Sequence, residues 1–172
     1  MSRKVILIAS ADNFWGIGKG NQLLHTVPED MRRFRELTTG NIVVYGRKTL
    51  ESFPGGRPLR DRLNIVISSG YQSSMEGLLA ARSPEEAMRL AEESDPQEKK
   101  DIYICGGASI YRQMLPFCTD AYITRFDTST EGVEAFLPNL DEDGSWKKAS
   151  WTDWKESIAG IRYAFVNYIR KN

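Results

Sequence analysis

Short runs of apolar, β-branched residues recur along this chain at Val5 to Ala11, Ile42 to Tyr45, Leu63 to Ser68, Ile102 to Cys105, Ala121 to Phe126 and Ile161 to Ile169. Runs of this length and composition read as strands, and those apolar at every position are strands covered on both faces. The stretches between the earlier runs carry helix signals. Pro28 suits a first helical turn and Gly40 a C-terminal cap, with Asp30, Phe34 and Leu37 recurring at i, i+4 and i+7, so a helix is predicted from Glu29 to Thr38. Ser83-Pro84-Glu85-Glu86 reads as a capping box with proline at N1, opening a helix to about Glu93. Ser109 to Leu115 reads as a short helix stopped by Pro116. Beyond Ala121 the pattern is long strands separated by turns, and Asp95 to Lys100 reads as a polar, exposed loop. These signals predict an α/β fold: a single domain over residues 1–172, with a mostly parallel central sheet flanked by helices and an antiparallel C-terminal hairpin. Trp146, Trp151 and Trp154 are expected to pack on the terminal strands.

The N-terminus imitates a secretory leader, with Arg3 and Lys4 before an apolar run and Ala9-Ser10-Ala11. The run is at the short end for a leader and Asp12-Asn13 follows at once, which favours a buried first strand and a cytoplasmic chain whose thiols stay reduced. Lys+Arg and Asp+Glu both total 23, so no net field draws the chain to nucleic acid or an anionic membrane, and small-molecule partners are expected. One histidine, His25, and two cysteines, Cys105 and Cys118, are too few for an ordinary zinc site, so no metal is expected. No nucleophile-elbow pattern accompanies His25, which argues against Ser-His-Asp chemistry.

Four features carry candidate chemistry. Asp30 shares a helical stripe with Phe34 and Leu37, so a carboxylate is aimed inward. An apolar neighbourhood would raise its pKa enough to exchange a proton near neutrality; the alternative is an acid that merely caps its own helix. In Ile42 to Thr49 a strand runs through Gly46 into a helix start bearing Arg47, Lys48 and Thr49, which suits a phosphate; a solvated basic turn is the alternative. In Ile102 to Ser109 a strand meets the adjacent glycines Gly106 and Gly107 before another helix start, where a backbone can approach a ligand closely. Two such turns in one small domain favour a dinucleotide over a simple anion. Gly16-Ile17-Gly18-Lys19-Gly20-Asn21 has the glycines of a dinucleotide fingerprint without the following helix, so it reads as a flexible lid or an ordinary surface loop.

Taken in order, Ile8-Ala9, Gly16-Ile17-Gly18, Pro28-Glu29-Asp30-Met31 with Phe34, Gly46-Arg47-Lys48-Thr49 with Glu51-Ser52, Ile65 to Ser69, Gly106 to Tyr111 and Tyr122-Ile123-Thr124 resemble dihydrofolate reductase from about Val5 to Ile169. The resemblance implies reduction of 7,8-dihydrofolate to 5,6,7,8-tetrahydrofolate by hydride transfer from NADPH, supplying one-carbon metabolism, in a cytoplasmic monomer inhibited by antifolates such as methotrexate or trimethoprim. It implies that Asp30 binds the pterin amidine edge and promotes protonation, supported by Thr124. Ile8, Ala9, Met31, Phe34, Phe53, Leu59, Cys105 and Tyr111 would line the substrate pocket, and Arg62 would pair with the glutamate carboxylate of folate.

For NADPH, the resemblance implies Ala9 and Ser10, the lid from Gly16 to Gln22 (Gly16, Ile17, Gly18, Lys19, Gly20, Asn21 and Gln22), and Gly46, Arg47, Lys48 and Thr49 for the phosphates. It places Ser68 and Ser69 near the 2′-phosphate, and Arg47 beside them favours NADPH over NADH. Gly106 and Gly107 would form a cis turn, followed by Ala108, Ser109, Ile110, Tyr111 and Gln113 against the pyrophosphate. The chain departs from the family in three places that bear on the lid and the phosphates. His25 stands where tryptophan is usual, to hydrogen-bond the site's water or face solvent; Val133 replaces an aspartate that bonds to the lid, so closure would rely on other contacts; Ser109 replaces a basic residue. Pro54-Gly55-Gly56 lengthens the loop before Arg57. Two other readings are a related pterin or pyrimidine reductase on the same fold, which Asp30 and Arg62 together oppose, and a catalytically weak folate- or nucleotide-binding protein.

Overall fold

Residues 3–20, 22–71 and 75–172 are described by a computed structural model, so Asn21 of the expected lid lies outside the described residues. The strands are β1 (Val5–Ala11), β2 (Gly16–Lys19), β3 (Gln22–Leu23), β4 (Ile42–Gly46), β5 (Leu63–Ile67), β6 (Leu78–Ala81), β7 (Ile102–Ile104), β8 (Asp120–Phe126), β9 (Ala135–Phe136), β10 (Trp146–Trp151), β11 (Lys155–Glu156) and β12 (Arg162–Arg170). The helices are α1 (Pro28–Thr38), α2 (Arg47–Ser52), α3 (Pro84–Ser94) and α4 (Ala108–Met114). The main sheet runs β10-β12-β8-β1-β7-β4-β5-β6, with β11 also on β12. From β8 to β6 every pairing is parallel, and β12 is antiparallel to β8, β10 and β11. The C-terminal section is thus antiparallel as expected, with three strands where a hairpin was read.

Alternation within the strands splits the core in two. Val5 and Leu7 of β1 with Ile42 and Val44 of β4 face Ala87 and Ala91 of α3 and Ile110 and Met114 of α4. Ile6 and Ile8 with Val43 and Tyr45 face the other way, onto Phe34 and Leu37 of α1 and Leu50 of α2. Helices on both faces explain why these strands read as near-continuous apolar runs, with Ser10 near the end of β1 as the polar exception.

Local chemistry sets the helix ends. Pro28 opens α1, and Gly40 follows its end with φ +81°, where a side chain would be strained. Ser83 caps α3, its Oγ accepting from Glu86 N at 3.1 Å. Ser83→Ala should destabilise the fold by about 1 kcal/mol, read as a lower urea midpoint with an unchanged slope.

Several expectations are corrected. β2 pairs antiparallel with β3 and also with β9, where a flexible lid or an ordinary surface loop was read. The short helix expected from Ser109 to Leu115 is α4, which ends at Met114, and Pro116 sits in the 3₁₀ turn that follows, Leu115–Phe117. Asp95 is buried, accepting from Lys99 N and Lys100 N and paired with Arg3, although the residues after it are exposed. Trp146 is buried beneath the Arg170 guanidinium, but Trp151 is 66% exposed because β10 is an edge strand with open outer positions.

Candidate active site

The C-terminal ends of β1, β4 and β7 lie side by side because the three strands are parallel and in register: Val44 pairs with Ile104, and Leu7 pairs with Ile104 from the other side. Chain leaving these ends forms the wall of a cleft of about 590 Å³, within the range of small-molecule sites. Gly46 N donates to Gly106 O at 2.9 Å, and Cys105 N to Val44 O at 2.8 Å, which fixes the two strand-to-helix turns together. The Gly106–Gly107 peptide is cis, as the resemblance implied. Gly106 has φ +116°, which calls for glycine, and a Cβ there would also press on the Tyr111 hydroxyl at 3.3 Å. That hydroxyl donates to Ile8 O at 2.8 Å, pinning α4 to the end of β1.

Asp30 reaches the cleft from the first turn of α1. Thr124 Oγ1 donates to Asp30 Oδ1 at 2.6 Å from β8, a contact spanning 94 residues. Burial raises the Asp30 pKa above the ordinary carboxylate value, opposed by the Thr124 hydrogen bond and the charge of Arg33. The periodicity argument for an inward carboxylate holds, and Asp30 does not merely cap its helix: that cap position is Val27, with no side-chain hydrogen bond. Cys105 also lines the cleft, its thiol pushed by burial to about 12, so it stays protonated and inert as a nucleophile.

Most expected residues meet here. Ile8, Ala9 and Ser10 from β1, Met31 and Phe34 from α1, Phe53, and Tyr111 line the cleft. Thr49, Gly106, Gly107 and Ala108 line it at the helix starts, and Ile17, Gly18, Lys19, Gly20 and Gln22 from the hairpin. Others are placed differently. Thr124 acts from behind Asp30 rather than as lining, and Leu59 packs into the core beside Phe34 and Phe53. Arg62 lies outside the lining, donating to Thr38 Oγ1 at 3.1 Å and to Arg60 O at 2.8 Å. Gly16 is buried against Val133 and Asp12; a Cβ there would meet Val133 Cγ1 at 2.9 Å, so this glycine serves packing. Gly46 likewise packs on Ile110, which is itself core. Ser109 and Gln113 hydrogen-bond each other on the exposed side of α4. Arg47 and Lys48 are exposed, with Arg47 paired to Glu51; Ser68 and Ser69 follow the neighbouring strand end, since Gly46 pairs with Ile67.

The helix starts at Arg47 and Ala108 have no side-chain cap, so their first N–H groups are open to a ligand, with Thr49 Oγ1 standing 3.9 Å from the position of a Gly107 Cβ. This arrangement of glycine backbone, open donors and basic side chains fits the phosphates of a dinucleotide.

The hairpin is held by residues that sequence reasoning missed. Glu134 Oε1 accepts from Gly20 N at 2.8 Å, while Glu134 N donates to Gly18 O at 3.0 Å. Asp12, buried, accepts from Phe14 N, Gly16 N and Thr130 N, tying the hairpin's foot to the segment before β9. Contacts other than a residue-133 carboxylate therefore hold the hairpin. His25 neither lines the cleft nor faces open solvent: its Nε2 stands 3.2 Å from Thr130 Oγ1 and its ring is edge-on to Phe126 at 5.6 Å. Leu23, Thr26, Ser52 and Ala135 also line the cleft.

Comparison with known proteins extends this geometry over the whole chain. The family model described as dihydrofolate reductase matches residues 4–170. The chain is 41% identical over 167 residues to a dihydrofolate reductase of Neisseria meningitidis serogroup B, covering 97% of this chain and 98% of that protein. It is 34% identical over 157 residues to one of Bacillus subtilis, covering 91% and 88%. Among solved structures, a dihydrofolate reductase from Enterococcus faecalis complexed with NADP(H) and RAB-propyl superposes with a TM-score of 0.82 at 28% identity, covering 98% of this chain and 97% of that one. Sequence, fold and the arrangement of the cleft agree, and the chain belongs to the dihydrofolate reductase family.

Proposed function

We propose that this chain reduces 7,8-dihydrofolate to 5,6,7,8-tetrahydrofolate with NADPH, and that Asp30 is its proton-linked group. The observation carrying the reading is a part-buried carboxylate, gripped by Thr124, in a cleft whose far wall offers glycine backbone and open helix starts. Bound NADPH supplies a hydride; the substrate takes a proton on the ring nitrogen beside the carbon that receives it. Ala9, Ser10, Thr49, Gly106, Gly107 and Ala108 would hold the cofactor, with Arg47, Lys48, Ser68 and Ser69 toward its phosphates. Ionised Asp30 accepts two parallel hydrogen bonds from the amidine edge of the pterin, and Thr124 keeps its other lone pairs occupied and its plane fixed. Its raised pKa lets it take up a proton from water closer to neutrality, and that proton passes through water to the ring nitrogen of the substrate, leaving Asp30 ionised. Met31, Phe34 and Phe53 exclude water around the ring. Residues 1–172 are read as one domain acting as a monomer; no helix among the described residues is long and apolar enough to cross a membrane, and Cys105 and Cys118 are free thiols, which supports a reducing, cytoplasmic setting.

The test is the loss of NADPH absorbance with purified protein, with and without dihydrofolate, repeated with NADH. Dihydrofolate-dependent oxidation, faster with NADPH and blocked by methotrexate, is expected. Saturable NADPH binding without turnover would replace this reading by a binding role or another reductase substrate.

A further inference from the structure

Helix α1 turns a second charged side chain toward the sheet beside Asp30. Arg33 follows three residues later, so the two emerge on neighbouring positions of one helix face. The Arg33 guanidinium lies 4.0 Å from the Phe165 ring centroid and 5.9 Å from that of Tyr122, and its Nη2 donates to Asn167 Oδ1 at 3.3 Å. Tyr122 and Thr124 are two residues apart on β8 and so share a face, and in the antiparallel register Phe165 sits opposite Thr124 and Asn167 opposite Tyr122. Asp30 and Arg33 therefore cover one four-residue patch: the carboxylate accepts from Thr124, and the guanidinium donates to Asn167 and lies over the Phe165 and Tyr122 rings.

Among the described residues neither Asp30 nor Arg33 takes part in an ion pair within contact distance. Arg33 is half-buried and held instead by an aromatic face and an amide oxygen, which stabilise a cation without neutralising it. Its charge is thus unspent and its position fixed, and partial burial weakens the screening between it and Asp30. The groups around the pair are few. Asp30 faces Arg33 on its own helix, Tyr111 from α4 and the uncharged Thr124 from β8; Arg33 faces Asp30, Tyr122 from β8 and Tyr103 from β7. Lys155 of β11 shares the Phe165 ring, its Nζ 5.7 Å from the centroid, but Arg33 is the cation whose charge acts on Asp30, lowering the proton affinity that burial raises there.

We propose that Arg33 is a positioning residue for the proton chemistry of the site: held on the Tyr122–Phe165–Asn167 patch, it sets the pH range over which Asp30 is ionised. This rests on the reading of Asp30 as the proton-linked group. The guanidinium touches neither cleft nor Asp30 directly and acts through its field.

The test is the pH dependence of single-turnover dihydrofolate reduction at saturating NADPH, for the wild type, Arg33→Met, Arg33→Lys and Asp30→Asn. Methionine keeps the apolar stem on Phe165 and removes the charge, so its midpoint should move to higher pH, by roughly half a pH unit or more. Lysine keeps a cation and should return the midpoint most of the way to the wild-type value. A structural role alone would lower the rate in both variants without separating their midpoints. Collapse of turnover in Asp30→Asn together with an unmoved Arg33→Met midpoint overturns the proposal alone, as does a midpoint that moves equally in Met and Lys. Near-full turnover in Asp30→Asn overturns the reading of Asp30 and the proposal with it.

Discussion

Asp30→Asn is expected to lose roughly 10²- to 10⁴-fold in dihydrofolate turnover at neutral pH, the span typical of a lost proton-transfer group, while NADPH affinity stays unchanged. Asparagine keeps the size of the side chain and an oxygen for the Thr124 hydroxyl, so the wall of the cleft should survive. The same substitution should make the protein more stable. Burial raises the proton affinity of Asp30 in the folded state above its ordinary value, so its contribution to stability is fully present below the ordinary carboxylate range and is lost as pH rises through the folded-state value. Asparagine removes a part-buried carboxylate whose charged form burial disfavours. Melting temperature should therefore rise in Asp30→Asn at neutral pH, each kcal/mol giving about 2–4 °C in a chain of this size, and the gain should shrink as pH falls toward ordinary carboxylate values. Unchanged turnover would remove Asp30 from the mechanism, and a lower melting temperature at neutral pH would show that the carboxylate is structural.

Arg62→Leu is expected to raise the KM for dihydrofolate on the order of a hundredfold while leaving that for NADPH nearly unchanged. Arg62 is half-buried, its guanidinium braced by Thr38 Oγ1 and the Arg60 carbonyl, and it enters no ion pair among the described residues. A cation fixed by neutral partners keeps its remaining N–H groups for a carboxylate, and the planar fork suits the glutamate end of folate. Truncation removes paired, charge-assisted hydrogen bonds, worth about 1.5–3 kcal/mol each. Equal effects on the two Michaelis constants would refute the assignment.

The sequence makes the centre of this fold readable and its edges obscure, for physical reasons. β1 follows the run from Val5 to Ala11 residue for residue, because a strand covered on both faces is apolar at nearly every position, Ser10 excepted, and so stands out from the polar Asp12-Asn13 that follows. The β2–β3 hairpin escapes notice because Gly16, Gly18 and Gly20 have no side chains to alternate, and its stabilising partner, β9, lies more than a hundred residues away. β10 is equally faint: an exposed edge strand with Lys147, Lys148 and Ser150 carries no apolar run. The site divides in the same way. Asp30 stands out as a carboxylate on an apolar stripe, a contrast visible within eleven residues of one helix. Glu134 is an ordinary acid in a polar stretch, and only its contact with Gly20, 114 residues distant, gives it a role. The resemblance places Ser109, Ile110 and Gln113 together on a ligand because they are contiguous, yet helical geometry sends Ile110 into the core and the other two outward.

The central position of β1 has a consequence for how the protein is made. Residues 5–11 leave the ribosome before either strand they pair with, so Val5 waits for Ile102 on one side and Ile6 for Asp120 on the other. Each edge of the first strand stays unpaired while most of the chain is synthesised, and the loop that must close is long in either direction. Asp30 waits in the same way for Thr124. A nascent chain halted before residue 124 has the carboxylate without its grip and the sheet without its middle joined to its antiparallel half. Folding to a working cleft is thus a late event in translation, and until then an apolar strand with two open edges depends on the speed of elongation, or on a chaperone, to stay out of aggregates.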